Sequence, residues 1–188
     1  MSRTIRKAVI PAAGLGTRWL PATKCVAKEL LPVAGKPLIQ HAVEEAVASG
    51  LEEIVVVSAP GKHDLEHYFQ PDPLLERQVA ARGNGRALQE WRRLRERFEL
   101  RVVIQEQPLG LAHAIACTQP LVGDEPFAVL LPDNLIFAAK PCTLQLIECH
   151  SRLPGCMVAI RDLAGRPRDC GTVVPGDRAR GPDKLFAV

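Results

Sequence analysis

The sequence predicts an α/β fold in which a mostly parallel sheet carries helices on both faces. Two apolar runs, 6–11 and 54–57, lack the polar alternation of a half-exposed strand and are typical of strands buried on both sides. Between them, the apolar residues of 38–47 recur at helical spacing. This succession of strand, crossover helix and strand favours a parallel sheet covered by helices. A chain of 188 residues fits one domain, and its hydrophobic fraction of 47% can supply a core.

The elements follow one another in a regular order. The first strand opens into a glycine-bearing loop that continues to about Gly35. Pro37 stands where the first helix would begin, and Gly50 supplies its end. Beyond the strand at 54–57, the same patterns predict helices at 62–69, 74–99 with a break around 83–85, 111–118 and 143–152, and strands at 101–105, 127–131, 157–160 and 172–174.

Composition excludes several classes of protein. The net charge of +3, from 24 Lys and Arg against 21 Asp and Glu, argues against a nucleic-acid-binding domain, and the balance of apolar and charged residues excludes intrinsic disorder. Aromatic residues make up only 4% of the chain, which disfavours stacking platforms for single-stranded nucleic acid. Six cysteines occur without a Cys-x-x-Cys pair, so neither a zinc site nor a disulfide framework is predicted.

No apolar stretch approaches the roughly 18 to 20 residues that a membrane-spanning helix needs. The longest apolar runs are of five residues, as at 127–131. Arg3, Arg6 and Lys7 precede an apolar run as they would in a signal peptide, but Pro11 interrupts that run too early. The sequence therefore predicts a cytoplasmic protein without a membrane segment.

The loop after the first strand has the chemistry of a phosphate site. Gly14 and Gly16 let backbone N–H groups approach an anion, while Arg18 and Lys28 offer positive charge for phosphate oxygens. Trp19 occupies the place of the third glycine in a dinucleotide fingerprint, and this disfavours a nicotinamide-dependent dehydrogenase. The Gly-Lys pair at 35–36 is followed by proline, which excludes a Walker A loop. A nucleoside triphosphate suits the loop, and a tight turn without a ligand is the alternative.

Polar residues also follow two later strands. Gln105 and Asp133 each lie at a predicted carboxyl end, where ligands collect in open α/β sheets. The Gln105 amide can donate and accept at once, which matches one edge of uracil, and Gly110 would let a base lie against backbone. The Asp133 carboxylate suits a Mg²⁺ ion that bridges phosphates. Each residue also has a purely structural interpretation, as a capped strand end, a helix start or a turn aspartate.

Together these residues lead to a resemblance to a known family. Segments 8–18, 20–24 and 28–32 resemble the amino-terminal signature of bacterial UTP–glucose-1-phosphate uridylyltransferases. Segments 36–40, 110–114 and 122–133 resemble later family blocks in the same order, and 74–99 is similar to an insertion that separates this family from deoxythymidylyl- and adenylyltransferases. The resemblance implies a Rossmann-like sheet of the nucleotide-diphospho-sugar transferase type, in a single nucleotidyltransferase domain over 1–188.

The resemblance also implies a role for individual residues. Arg18 and Lys28 would neutralise the triphosphate, Asp133 would bind Mg²⁺, and Glu29 matches an active-site acid. Substrate contacts are implied for eight residues, with the phosphates at Ala13, Gly14, Gly16 and Thr17, the uracil at Gln105 and Gly110, the glucose at Gly171, and Glu29 beside them. The implied reaction joins UTP and glucose 1-phosphate into UDP-glucose and pyrophosphate. Because a sugar phosphate is already ionised, His113 is interpreted as a helix-start or packing residue.

Some residues depart from the family pattern. Ala27 replaces a proline, Ala112 a glycine and Cys170 a tyrosine. Residues 184–188 resemble the strand that leads into the family's sugar-binding motif, so we expect a truncated chain with an open sheet edge, which invites homo-oligomerisation or pairing with another chain. The alternative to the enzyme is a degenerate UTP-binding module that lacks turnover and acts as a partner or regulatory subunit.

Overall fold

Four parallel strands form the main sheet of the computed structural model, which describes residues 4–83 and 85–160 and the backbone of 179–180 and 185–186. The strands, in chain order, are β1 (Lys7–Pro11), β2 (Pro32–Val33), β3 (Lys36–Pro37), β4 (Glu53–Ser58), β5 (Glu99–Ile104), β6 (Phe127–Val129), β7 (Ala179–Arg180) and β8 (Leu185–Phe186). The α-helices are α1 (Leu38–Ala48), α2 (His63–His67), α3 (Pro73–Ala81), α4 (Arg86–Arg95), α5 (Leu111–Ala116), α6 (Gln119–Val122) and α7 (Cys142–Arg152). The chain divides into two compact units, residues 1–144 and 145–188.

The main sheet, in the first unit, has the strand order β5-β4-β1-β6. Val9 of β1 lies opposite Val55 of β4 and Val129 of β6, and Val55 in turn lies opposite Arg101 of β5. Because all neighbouring strands are parallel, their carboxyl ends meet at one edge of the sheet. The loops that follow the four strands therefore start side by side, which is where ligands collect in folds of this type.

Both faces of the two central strands are buried. Val9, Val55 and Val57 pack on one face with Ala114 of α5 and Val122 of α6. The alternate residues of the same strands point to the other face and are equally buried; they are Ala8, Ile10, Ile54 and Val56. This burial confirms the expected parallel sheet with flanking helices, and it explains why the two runs carry no polar alternation.

Helix α1 begins and ends where the sequence predicts. Pro37 precedes its first residue, and Gly50 adopts a φ of 85° just beyond its end, a conformation that glycine takes without a Cβ clash. The helix buries Ile39, Val43 and Val47 along one stripe. The loop before it contains three short 3₁₀ turns and the two-residue strands β2 and β3.

Other elements differ from the sequence prediction. The stretch 74–99 forms two helices, α3 and α4, separated at the predicted break. The short helix α6 was not predicted, and the segment 157–160, predicted as a strand, has no strand structure. Its Val158 and Ile160 are exposed, and no described strand pairs with it, so β-branched composition alone did not produce a strand. The predicted strand at 172–174 lies outside the described residues.

Among the described strands, β6 pairs with β1 alone and lies at the edge of the four-stranded sheet. Val129 on this strand is 40% exposed. None of the described helices combines the length and the apolar character needed to cross a bilayer.

A half-buried tyrosine near α1, Tyr68, predicts a pH dependence of stability. The Tyr68 hydroxyl donates a hydrogen bond to Gln40, whose amide donates to Glu44. Burial, with a smaller effect of the Glu44 charge, raises the pKa of Tyr68 from 10.0 to about 12. Between these two values the unfolded chain loses the tyrosine proton while the folded chain keeps it, so the free energy of unfolding falls as the pH rises.

We expect denaturant unfolding to show this loss between about pH 10 and 12 and a smaller loss in Tyr68→Phe, which has no phenolic proton. Comparing the two proteins at each pH removes the contribution of the lysines, which titrate in the same range. An identical pH slope in both proteins would contradict the assignment.

Candidate functional site

The loop after β1 presents a row of backbone donors without partners. The Ala12 N–H continues the sheet by donating to the Val57 carbonyl at 2.7 Å. Among the residues that the structure describes, none accepts a hydrogen bond from the backbone N–H groups of residues 13–17. These residues include the predicted phosphate contacts Ala13, Gly14, Gly16 and Thr17. Five successive N–H groups without partners among the described residues, at the carboxyl edge of a sheet, are suited to binding an anion.

Gly16 is required by the shape of this loop. Its φ of 67° lies in the left-handed region, and a Cβ built there would lie 3.0 Å from Thr23 Cγ2 and 3.2 Å from Lys28 Cβ. The Thr23 hydroxyl donates a hydrogen bond to the Gly16 carbonyl at 2.8 Å, which ties Gly16 to a residue later in the same loop. Gly14 is less crowded, because its Cβ would lie 3.7 Å from Lys28 Cε, at ordinary contact distance.

Lys28 connects this loop to the end of β6. Its Nζ lies 2.7 Å from Asp133 Oδ2 and 4.0 Å from Glu29 Oε1. The Lys28 side chain is 20% exposed and that of Asp133 is 45% exposed, so ligands can reach both groups. The structure thus brings together two predicted residues that are 105 positions apart in the chain.

Glu29 is almost fully enclosed, with 1% of its side chain exposed. Its Oε2 accepts from Lys62 Nζ at 3.0 Å, and its Oε1 has no hydrogen-bond partner among the described residues. A buried carboxylate with one lysine hydrogen-bonded to it is suited to holding that lysine, Lys62, in place. This burial favours an indirect role over direct contact with a ligand.

Lys62 is the functional residue that the sequence analysis missed. Its Nζ donates to the carbonyls of Ala12 and Gly14, at 2.7 and 2.6 Å, as well as to Glu29. The sequence contained an indication of this, because Lys62 follows the carboxyl end of β4 and Gln105 follows that of β5. Ligands collect beyond the carboxyl ends of the strands in such sheets, and the same reasoning applied to β4 would have selected Lys62.

Gln105 lies directly beyond β5, and 5% of it is exposed. Its backbone N–H donates to the Ser58 carbonyl at 2.8 Å, and its Nε2 lies 3.1 Å from the Gly110 carbonyl and 2.9 Å from His113 Nδ1. His113 thus packs beside Gln105 in the first turns of α5, in agreement with its structural interpretation. Gly110, with a φ of 95°, precedes α5, and a Cβ there would meet only open space.

Two further predicted residues stand apart from this network. Arg18 lies in the 3₁₀ turn Thr17–Trp19, is exposed, and makes no ion pair with any described residue. Gly171, predicted to contact the sugar, lies outside the described residues.

The donor set at Asp133 is compatible with Mg²⁺. The described residues contain no cluster of three or more His, Cys, Asp and Glu side chains that could hold a metal by themselves. Mg²⁺ is usually bound through one or two carboxylates together with water and substrate phosphates. One accessible carboxylate beside a phosphate-binding loop fits that mode.

An α/β sheet whose carboxyl edge carries lysines and loop amides without partners among the described residues has the chemistry suited to binding phosphates. The sequence profile described as nucleotidyl transferase matches residues 7–177. The chain belongs to this nucleotidyl transferase family.

Individual proteins that the chain resembles have a more specific description than the family. The chain is 39% identical over 161 residues to UTP–glucose-1-phosphate uridylyltransferase of Bacillus subtilis, an alignment that covers 86% of this chain and 55% of that protein. It is 40% identical over 186 residues to the enzyme of the same name from Pseudomonas aeruginosa, covering 98% of this chain and 66% of the relative. The structure described as UTP-bound UGPase from Acinetobacter baumannii superimposes with a TM-score of 0.74 at 38% identity, covering 79% and 53% of the two chains. The chain thus spans about half to two thirds of the length of these relatives.

Proposed function

We propose that this chain carries the nucleotide-binding part of a UTP–glucose-1-phosphate uridylyltransferase, within a single nucleotidyltransferase domain over 1–188. The observation that carries the proposal is the row of unpaired amides at 13–17 with Lys28 beside it. The names of the Bacillus and Pseudomonas relatives support the reaction, and the UTP-bound Acinetobacter structure supports the nucleotide. The proposed substrates are UTP and glucose 1-phosphate, and the proposed products are UDP-glucose and pyrophosphate.

The phosphates of UTP would lie on the loop. The N–H groups of Ala13, Gly14, Gly16 and Thr17 would donate to phosphate oxygens, and these donors need no rearrangement because they have no other partner among the described residues. Arg18 and Lys28 would supply positive charge from two sides. Arg18 is free to turn toward the ligand, whereas Lys28 must exchange Asp133 for a phosphate.

The uracil would be recognised by Gln105 and Gly110. Both hydrogens of the Gln105 amide nitrogen have acceptors in the protein, at Gly110 and His113. The Gln105 oxygen is therefore the atom that would accept the N3–H of uracil. Cytosine carries no hydrogen at N3, so this arrangement favours UTP over CTP.

The proposed reaction is a single displacement. A phosphate oxygen of glucose 1-phosphate forms a bond to the α-phosphorus of UTP, and the bond from that phosphorus to the β-phosphate oxygen breaks. Pyrophosphate leaves with the electron pair of that bond. Because the attacking phosphate is already ionised, no side chain has to remove a proton, and the protein acts by positioning and by fixed positive charge.

Asp133 would hold a Mg²⁺ ion, which supplies charge neutralisation at the phosphates when bound. Its ion pair with Lys28 keeps both groups beside the loop before ligands arrive. In the loaded site, Asp133 would hold the metal and Lys28 would contact the triphosphate instead of each other.

The cellular location and the partners of the protein are also part of the proposal. We place it in the cytoplasm, where nucleoside triphosphates are made, with neither nucleic acid nor a membrane as a partner. The position of β6 at the edge of the described sheet supports homo-oligomerisation or pairing with another chain, because edge strands accept further strands.

The test is pyrophosphate release by the purified protein from UTP, glucose 1-phosphate and Mg²⁺. We expect release only when all three are present, with loss after chelation of the metal. UTP binding without release would favour the module without turnover, and absence of both would contradict the proposal.

Base recognition gives a second prediction. We expect Gln105→Leu to raise the KM for UTP by about tenfold and to reduce the preference for UTP over CTP, because it removes the acceptor for the uracil N3–H. Gln107→Leu is the matched control, since Gln107 is exposed and lies two residues further along the same loop. Steady-state kinetics with both nucleotides would show the difference. Equal nucleotide preference in the two variants would argue against Gln105 as the base contact.

A further inference from the structure

We infer that Lys62 is a positioning residue that orients the phosphate loop and keeps Glu29 away from Lys28. The inference rests on the proposed function, because the loop is assigned there to the phosphates of UTP. Lys62 makes no contact with the ligand in this proposal. Lys62 holds the groups that make those contacts.

The backbone of Lys62 is fixed at the end of β4. Its N–H donates to the Ala59 carbonyl at 3.1 Å, and its carbonyl accepts from the Ser58 hydroxyl at 3.4 Å. This turn places the side chain beneath the loop that leaves the neighbouring strand β1, and 15% of the side chain is exposed. A lysine at this position can therefore act on the loop from inside the protein.

The ammonium group of Lys62 has no donor left for a phosphate. A lysine has three N–H donors, and Lys62 has three acceptors, at Ala12, Gly14 and Glu29. All three acceptors lie between 2.6 and 3.0 Å from Nζ. Its contacts thus differ from those of Lys28, which faces the accessible Asp133.

The two carbonyl contacts set the direction of two peptide planes. In a trans peptide the C=O and the following N–H point in opposite directions. The peptides 12–13 and 14–15 are trans, since the only cis peptide bond among the described residues is Leu20–Pro21. Because Lys62 draws the carbonyls of Ala12 and Gly14 toward itself, the N–H groups of Ala13 and Leu15 point away from it. Both belong to the row of donors without partners.

The contact between Lys62 and Glu29 determines which cation pairs with the buried carboxylate. Glu29 is buried, and its other oxygen lies 4.0 Å from Lys28 Nζ. A buried carboxylate without a counterion would attract the nearest available cation. Lys62 supplies that counterion, so Lys28 remains directed toward Asp133 and toward the proposed phosphate position.

Lys62 has two proposed roles, which are to orient the loop carbonyls and to pair with Glu29. The test separates them by comparing UTP binding in variants, measured by calorimetry with Mg²⁺ present. Lys62→Met removes both roles, and we expect its Kd for UTP to rise about tenfold to a hundredfold and its thermal midpoint to fall. The double variant Lys62→Met with Glu29→Gln has no buried charge left unpaired. We expect it to regain the thermal midpoint but not the affinity, because the loop carbonyls still lack their donor. Lys36→Met is the control, since Lys36 forms its ion pair with Glu44, outside the loop.

The decisive comparison is between Glu29→Gln alone and the double variant, which differ only at residue 62. A weaker Kd in the double variant supports the inference, and equal Kd values overturn it. If the unsubstituted protein fails to bind UTP, the same comparison is made with inorganic tripolyphosphate. A loss of tripolyphosphate binding in the double variant then supports the role of Lys62 while the proposed nucleotide fails. If the unsubstituted protein binds neither anion, the inference is overturned together with the function.

Discussion

Replacement of Lys28 by alanine is expected to lower the rate of pyrophosphate formation by about a hundredfold to a thousandfold, the loss typical of one group that stabilises transition-state charge. Lys28 lies beside the glycine loop, pairs with Asp133 at 2.7 Å and remains partly exposed. The triphosphate accumulates negative charge as the α-phosphorus becomes crowded. Without Lys28, that charge would have to be neutralised by Arg18 and the metal alone.

The matched control is Lys36→Ala, which also removes a lysine from an ion pair but does so outside the loop. We expect its rate to stay within about twofold of the parent, as for an exposed ion pair. Thermal unfolding of both variants checks that the fold is retained. A Lys28→Ala rate equal to that of Lys36→Ala would contradict the role of Lys28.

Asp133→Asn separates charge neutralisation from metal binding. Because asparagine releases Lys28 from its ion pair, we expect UTP to bind this variant more tightly than the parent when no metal is present. With Mg²⁺ present, the rate of transfer should fall, because one anionic ligand is lost. Calorimetry with and without Mg²⁺ distinguishes the two effects, and an unchanged metal-free affinity would show that the ion pair does not restrain Lys28.

The second large effect is expected for Gly16→Val, which should lower UTP affinity and transfer by about a hundredfold or more. Gly16 has a φ of 67°, and its Cβ position already approaches Thr23 and Lys28 to 3.0 and 3.2 Å. A β-branched residue adds atoms beyond that position and is disfavoured at positive φ. The loop must therefore move, and its donors and Lys28 move with it.

Gly50→Val controls for backbone strain alone. Gly50 has a φ of 85°, but a Cβ there meets nothing within 4 Å. Both variants should lose stability in denaturant unfolding, since each places a side chain in the left-handed region. Only Gly16→Val should lose UTP binding. If Gly50→Val lost binding equally, the effect would be one of general stability and not of loop geometry.

The sequence by itself determined the sheet and the position of the loop. The uninterrupted apolar run 54–57 is typical of a strand covered on both faces, and Pro37 and Gly50 delimit α1 by local chemistry. Since parallel strands end at one edge, the positions of Gln105 and Asp133 along the chain were sufficient to place them on the same side as Gly14. These inferences need only local patterns and the rules of parallel sheets.

Tertiary structure alone decided how the charged groups pair. Lys28 meets Asp133 across 105 positions, and Lys62 meets Gly14 and Glu29 across 48 and 33 positions. The position of Lys62 beyond β4 was readable from the sequence, but its three acceptors at Ala12, Gly14 and Glu29 were not. Burial also decided that Glu29 serves as the counterion of Lys62, since a carboxylate from which the fold excludes water needs a charged partner. The physical reason is that ion pairing depends on distance and dielectric environment, which are set by the packing of strands far apart in the chain.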